Sequence, residues 1–338
     1  MTRHTERTEE VVPTPLTVSR LEKAPAAVPV RRLPPHGHPD SIGGVGTDPN
    51  CTTPLLAEVY AAHRLRTWKR CTSEKAQLDY AHDVLHFTPQ QRTEERDPAS
   101  VLEAALQVIL GNGWFDIGRI EEVIRQIPPV HRANRVLWSD FHLFHRLMAK
   151  LRGFLYADGT PDVETMNEAI AYLYDLSIRD ETLVYLAGDL SMGGKRTLSD
   201  VFDWLRQRRG KIVVVWGNHD PGFAHHSGAH LAVKDWMGTG IFEAVTMVAT
   251  IKIDGVKVLV HHMPYAHGDL SNHTPEERYL QWRLPDLGDP LVHGHIHRPD
   301  VRAHGHEYHV GIDAHPFAPA SDTDLADFLR GIGRLPAH

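Results

Sequence analysis

Side chains that bind metals occur in five short clusters in the second half of the chain. The clusters are Asp140-Phe141-His142, Gly188-Asp189, Gly217-Asn218-His219-Asp220, His261-His262-Met263-Pro264 and Gly294-His295-Ile296-His297. They combine carboxylates, one amide oxygen and imidazoles, a mixed set that suits Mn, Fe or Zn rather than Ca or a thiolate-bound zinc. The sequence therefore predicts a metal centre in a chain that contains 25 histidines.

The segments before these clusters are short apolar runs with the length of β-strands. Val136–Ser139, Leu183–Ala187 and Ile212–Trp216 lead directly into the first three clusters, with helical patterns between them at 166–176 and 198–205. This alternation is typical of an α/β fold, in which ligands bind beyond the carboxyl ends of the strands. We also expect a hairpin of Val245–Ile253 and Val256–Val260 turning at Asp254-Gly255, and strands near Pro290–His293 and Tyr308–Ile312.

The order of the clusters resembles the calcineurin-like metallophosphoesterase superfamily over about residues 131–320. Asp140-Phe141-His142-Leu143-Phe144-His145 is similar to the D-x-H-F-G-H start of small bacterial and phage members, with Phe144 in place of glycine. Met166-Asn167-Glu168 and Val310-Gly311-Ile312-Asp313 resemble a helix start and the closing strand of that subgroup. The resemblance implies a four-layer α+β sandwich of two mixed sheets flanked by helices. It gives Asp313 a place in the closing strand and no chemical role.

The resemblance also implies seven metal ligands in two sets. One metal would be held by Asp140, His142 and His297, and the other by Asn218, His262 and His295, with Asp189 bridging both. Manganese is favoured, with iron or zinc as alternatives. His262 is preferred over His261 because it has the family's spacing to Pro264, and adjacent strand residues point to opposite faces.

The same resemblance assigns the remaining site roles. A hydroxide held between the metals would attack phosphorus, and His219 would protonate the leaving group. Asp220 would bind the other ring nitrogen of His219 and fix its orientation. His145 would contact the substrate phosphate or support a metal ligand from behind. Lys195 and Arg196 are further candidates for substrate contact, although the loop that contains them departs from the G-x-x-x-x-G-K-[ST] phosphate-loop pattern.

The chain divides into three parts by composition and hydrophobic periodicity. Residues 1–53 are rich in Pro, Thr, Gly and charge and are predicted to be a disordered tail. Residues 54–130 show helical periodicity at 56–63, 101–109 and 117–127, the last with Asp116 as a cap and Pro128-Pro129 at its end. Residues 131–338 form the predicted metallophosphoesterase domain.

The resemblance favours a phosphodiesterase that acts on nucleotide or cyclic-nucleotide diesters, because small members with this pattern commonly act on diesters. About fifty residues at most separate successive clusters, which leaves no room for a large cap over the site. A phosphomonoesterase acting on proteins or nucleotides is the enzyme alternative. A non-catalytic scaffold of the same fold is the alternative from another class, and the presence of His219 argues against it.

Composition bears on the cellular compartment and on the binding partners that we expect. The net charge of −7 disfavours non-specific binding to long nucleic acid. No apolar run is long enough to span a bilayer, and the N-terminus has no signal-peptide pattern. The two cysteines form no disulfide framework, so we expect a cytoplasmic protein with a small phosphate-ester substrate. The sequence leaves open whether the chain forms a homo-oligomer.

Overall fold

A computed structural model describes residues 52–73, 75–77, 79–80, 117–129, 133–156, 158–266 and 278–337. The predicted disordered tail lies outside these ranges except at its last two residues. The helical pattern at 101–109 and the Asp116 cap also lie outside them. The division of the chain into three parts stays a prediction.

Two five-stranded sheets carry the architecture of the described residues. The first has the order β10-β1-β2-β3-β4, and its strands are β1 (Arg135–Trp138), β2 (Leu183–Leu186), β3 (Lys211–Val215), β4 (Phe242–Thr246) and β10 (Ala320–Ser321). The second has the order β5-β6-β7-β9-β8, and its strands are β5 (Ala249–Ile253), β6 (Val256–Val260), β7 (Leu291–His293), β8 (Ala303–His304) and β9 (Glu307–His309). Each sheet contains parallel and antiparallel pairs, so the predicted pair of mixed sheets is confirmed.

Helices connect and cover the strands. They are α1 (Leu56–Lys69), α2 (Ile117–Gln126), α3 (Arg146–Leu151), α4 (Val163–Ser177), α5 (Lys195–Arg206), α6 (Ala229–Met237) and α7 (Asp322–Gly331), with a 3-10 turn at Leu280–Trp282. The patterns at 166–176 and 198–205 are confirmed as α4 and α5, and α2 ends before Pro128 as predicted. Among the described helices, none combines the length and the apolar character that a bilayer crossing requires.

The predicted hairpin is correct at its turn and wrong at its first boundary. Strands β5 and β6 pair antiparallel across Asp254-Gly255. Val245 instead belongs to β4, which pairs with β3 in the first sheet. The chain changes sheets at Met247-Val248, where the Thr246 hydroxyl donates to the Val248 carbonyl. Because the residues around this crossing are mainly apolar, the sequence pattern shows no break there.

The larger hydrophobic core cluster includes residues from outside the predicted catalytic domain. Leu56, Val59 and Leu65 of α1 are buried in the same cluster as Trp138 of β1 and Met166 of α4. A second cluster fills the space between the two sheets and includes Leu137, Val215, Val260 and Val292. Helix α1 is therefore part of the core that supports β1.

Candidate functional site

The candidate ligands lie where the strands of both sheets end. Asp140, Asp189 and Asn218 follow β1, β2 and β3, which are neighbouring parallel strands. His262 and His295 follow β6 and β7, which are neighbouring parallel strands of the second sheet. The two edges are joined where the His295 N–H donates to the Asp140 carboxylate at 3.1 Å. All five segments therefore deliver side chains to one place.

Five candidate ligands have a left-handed backbone, which non-glycine residues rarely adopt. Their φ angles are 62° for Asp140, 46° for His142, 55° for Asp189, 72° for His295 and 51° for His297. Hydrogen bonds between segments hold two of them: Asp140 N–H donates to Gly188 O and His142 N–H to Asp189 O, both at 3.0 Å. Such strain persists where the surroundings fix the backbone, and it clusters at functional sites.

Phe144 shares this unusual conformation, with φ at 63°. Its N–H donates to the Asn167 side chain of α4 at 3.0 Å. This is the position at which Phe144 replaces the glycine of the D-x-H-F-G-H pattern. Glycine adopts this φ without steric cost, so the hydrogen bond that the Phe144 N–H donates to Asn167 offsets part of the strain that the bulkier residue brings.

Four buried side chains bring together atoms that could hold a metal ion. Asp140, His142, Asp189 and His297 each offer one atom, and these atoms lie within 4.8 Å of one another. The Nε2 atoms of His142 and His297 are 3.0 Å apart, and His297 Nε2 is 3.5 Å from Asp140 Oδ1. Converging carboxylate oxygens and imidazole nitrogens suit a divalent cation, which would take the place of solvent that these buried groups have lost.

Burial sets the direction of the pKa shift for two members of this group. It raises the pKa of Asp140 and holds the pKa of His142 well below its usual range. For Asp189, burial is outweighed by the imidazoles of His262 and His142, which hold its pKa well below the usual range. Asp189 is therefore the carboxylate that stays ionised most readily, as a metal bridge requires.

The second ligand set gathers around the same carboxylate. His262 Nε2 lies 3.4 Å from Asp189 Oδ2 and 3.1 Å from Asn218 Oδ1. The ring of His295 is 5.3 Å from that of His262. His262 Nδ1 is 2.8 Å from the Ala187 carbonyl, which fixes the ring and leaves Nε2 facing the site. Burial opposes protonation of His262, but Asp189 outweighs it and raises the pKa to about 9.

His261 faces away from this set. Its Nδ1 lies 3.1 Å from the Met263 carbonyl, and the side chain is fully buried. The structure thus brings His262 rather than His261 to Asp189 and Asn218.

His219 lies beside the ligands and remains open to solvent. Its side chain is 34% exposed, and its Nε2 is 4.0 Å from Asp189 Oδ2. Its backbone N–H donates to Asp189 Oδ1 at 2.9 Å, which anchors the residue to the candidate bridge. His145 lies on the same side, with its ring 6.0 Å from that of His142. Burial lowers the pKa of both His219 and His145.

The predicted contact between Asp220 and the ring of His219 is wrong. The Asp220 carboxylate is buried and accepts backbone N–H groups from Asp189 at 2.9 Å, Leu190 at 3.2 Å and Gly217 at 2.8 Å. Burial and the nearby Asp189 raise its pKa to about 7. Asp220 therefore ties the loop after β2 to the loop after β3. The pairing with the His219 ring that the resemblance implies is not made in the structure.

Asp313 is placed in a turn after β9 and has a role that the sequence did not predict. Its Oδ2 lies 3.1 Å from His297 Nδ1, and its carboxylate accepts two hydrogen bonds from the guanidinium of Arg152. Arg152 was not predicted at all. No sequence signal marks it, because its partners are brought together only by the fold.

Lys195 and Arg196 begin helix α5, and their side chains lie outside the described part of the structure. The preceding Gly193 approaches the site, since a Cβ atom placed on it would lie 3.1 Å from the His219 carbonyl. Substrate contact by Lys195 or Arg196 stays a prediction.

Comparison with known proteins decides the family. The sequence pattern described as the calcineurin-like phosphoesterase superfamily domain matches residues 136–311. The chain belongs to this superfamily. The matched range spans all seven candidate metal ligands and His219. Asp313, which contacts His297, lies just beyond it.

Two phage proteins are similar to this superfamily member. The Gene 66 protein of Mycobacterium phage L5 is 33% identical over 193 residues, which cover 54% of this chain and 87% of the phage protein. The Gene 66 protein of Mycobacterium phage D29 is 32% identical over 195 residues, or 55% of this chain and 91% of the phage protein. A crystal structure of a protein of unknown function from Aquifex aeolicus aligns with a TM-score of 0.41 at 17% identity, over 57% of this chain and 97% of that one.

Proposed function

We propose that this calcineurin-like phosphoesterase is a two-metal phosphodiesterase of nucleotide or cyclic-nucleotide diesters. One observation carries the proposal. Asp189 lies in contact with candidate ligands from both sheets, and the partly exposed His219 stands beside it. This arrangement offers two adjacent cation positions and a proton donor on the solvent side.

The residues divide the work between holding metals and handling the substrate. One ion would be held by Asp140, His142 and His297. The other ion would be held by Asn218, His262 and His295, and both ions would share Asp189. Two divalent ions, with manganese favoured, would neutralise charge on the phosphoryl group and lower the pKa of a water molecule towards neutrality. His145, whose ring lies 6.0 Å from that of His142, would bind a phosphoryl oxygen.

His219 would transfer a proton from its ring to the ester oxygen that leaves phosphorus. Such general-acid help contributes roughly 10²- to 10⁴-fold to the rate. Its contribution depends on the leaving group, because a poor leaving alkoxide needs a proton more than p-nitrophenolate does. The exposure of His219 supports a substrate with an extended leaving group, as the nucleoside part of a diester is.

The test compares His219→Ala with wild type on 3′,5′-cyclic AMP and on bis-p-nitrophenyl phosphate, at equal manganese content. We expect kcat on the cyclic nucleotide to fall by roughly 10²- to 10⁴-fold, and clearly less on the activated ester. His230→Ala, on the exposed face of α6, is the matched control and keeps wild-type rates. Equal losses on the two esters would remove His219 from the proton-donor role.

The same assay separates the alternatives. A wild-type preference for p-nitrophenyl phosphate over its bis-ester would assign a phosphomonoesterase. Absence of hydrolysis in the metal-loaded protein would assign a scaffold. We place the activity in the cytoplasm, which the presence of only Cys51 and Cys71 supports.

A further inference from the structure

A buried arginine lies behind one of the two ligand sets. Arg152 follows α3, and only 2% of its surface is exposed. Its Nη2 donates to the Asp140 carbonyl and its Nη1 to the Phe141 carbonyl, both at 2.6 Å. A cation with this little solvent contact is costly unless it is fully hydrogen-bonded. Here it binds the backbone of a candidate ligand and of the residue after it.

The same guanidinium holds a carboxylate that contacts a second candidate ligand. Arg152 Nε donates to Asp313 Oδ1 at 2.7 Å and Nη2 to Asp313 Oδ2 at 3.1 Å, a bidentate pair. Asp313 Oδ2 lies 3.1 Å from His297 Nδ1. A proton held on Nδ1 leaves the lone pair of Nε2 facing Asp140 and His142. The arrangement is a carboxylate–histidine pair of the type that orients metal ligands.

In the other ligand set, the contact that orients His262 is of a different kind. His262 Nδ1 faces the Ala187 carbonyl, a neutral backbone group. Among the described residues, the hydrogen bonds of the Arg152–Asp313 pair to candidate ligands are with Asp140 and His297, which belong to one set. This asymmetry distinguishes a role in metal binding from a general contribution to stability, which would affect both sets together.

We propose that Asp313 and Arg152 are positioning residues that selectively tighten the metal site of Asp140, His142 and His297. The inference rests on the proposed two-metal function. Loss of the Asp313 carboxylate removes one contact that orients the ring of His297 and one that orients the guanidinium bound to the Asp140 backbone. Removal of such a partner typically costs about 10- to 100-fold in metal affinity.

The experiment titrates the metal-free, full-length protein with Mn²⁺ by calorimetry, and follows the bound metal by electron paramagnetic resonance. Asp313→Asn should weaken one of two binding steps by about 10- to 100-fold and leave the other unchanged. With two equivalents of Mn²⁺, its spectrum should shift from an exchange-coupled pair towards a single ion. Asp322→Asn is the matched control, because Asp322 forms a bidentate pair with Arg135 at 2.7 and 2.9 Å, away from the site.

Two further variants keep the inference testable. His142→Ala should weaken the same binding step, and adding Asp313→Asn to it should change little, since both act on one site. Arg152→Lys keeps the charge but loses the bidentate geometry, and it serves if Asp313→Asn does not fold. Arg152→Lys should also weaken the Mn²⁺ binding step that Asp313→Asn weakens.

The outcomes separate this inference from the function on which it rests. Equal weakening of both steps, or wild-type affinity in a folded Asp313→Asn or Arg152→Lys protein, overturns the positioning role alone. Fewer than two Mn²⁺ ions on the wild-type protein overturns the two-metal function and the inference together.

Discussion

Replacement of Asp220 tests whether this carboxylate holds the backbone or orients His219. It accepts three backbone N–H groups, and each buried donor left without an acceptor costs about 1–3 kcal/mol. Asp220→Ala removes all three acceptor contacts, so we expect a loss of about 3–9 kcal/mol in the free energy of unfolding. Folded domains have about 5–15 kcal/mol in total, so this variant would be largely unfolded or close to it.

Asp220→Asn is the more informative change. An amide oxygen at the position of Oδ2 keeps the hydrogen bonds from Asp189 and Gly217, while the amide nitrogen faces the N–H of Leu190. The expected loss is about 1–3 kcal/mol, partly offset because the neutral amide no longer repels Asp189.

The assay is urea unfolding of the metal-free protein, followed by tryptophan fluorescence. Asp203→Asn is the control, since Asp203 is exposed on α5 and should change stability by less than about 0.5 kcal/mol. Wild-type stability of Asp220→Asn together with a kcat lowered about 10- to 100-fold would refute the backbone role and restore contact with His219.

Two further predictions concern a glycine and a buried histidine. A Cβ atom on Gly294 would lie 2.4 Å from Asp140 Oδ2, so Gly294→Ala should displace that ligand and weaken Mn²⁺ binding. Gly331→Ala is the control, because a Cβ atom at Gly331 would lie in open space, and it should bind Mn²⁺ as the wild type does in calorimetric titration. Equal Mn²⁺ affinities of Gly294→Ala and the wild type would contradict the prediction. Burial lowers the pKa of His309 to about 3, so the unfolded chain takes up a proton near pH 6.5 that the folded chain does not. Its contribution to stability is present above pH 6.5 and is lost towards pH 3, at about 1.4 kcal/mol per pH unit. His309→Gln should remove this contribution from the pH dependence of the free energy of unfolding, measured between pH 6 and 4 in the presence of a chelator. An unchanged pH dependence would count against the role of His309.

The sequence predicts the parts of the fold and site that depend on local pattern. Ile212–Trp216 is apolar and leads into Asn218, so both the strand and the ligand at its end follow from neighbouring residues. The family order then selects His262 over its neighbour, and the structure places that ring beside Asp189. These relations need no knowledge of distant contacts.

The parts that the sequence did not predict depend on tertiary pairing. Arg152 and Asp313 are 161 positions apart, and only the folded chain joins them to His297. Asp220 was assigned to its neighbour along the chain, whereas its partners include the loop after β2. The start of β5 was misplaced because apolar residues continue across the change of sheet.

The burial of α1 limits how far the chain can be truncated from its N-terminal side. The family pattern begins at residue 136, whereas α1 begins at Leu56. Leu56, Val59 and Leu65 are at most 2% exposed, and the Ala57 N–H donates to the Arg152 carbonyl at 3.2 Å. A fragment trimmed to the family boundary would leave an apolar face of the core open to water and would remove a support of Arg152. The smallest fragment suitable for expression therefore starts before Leu56.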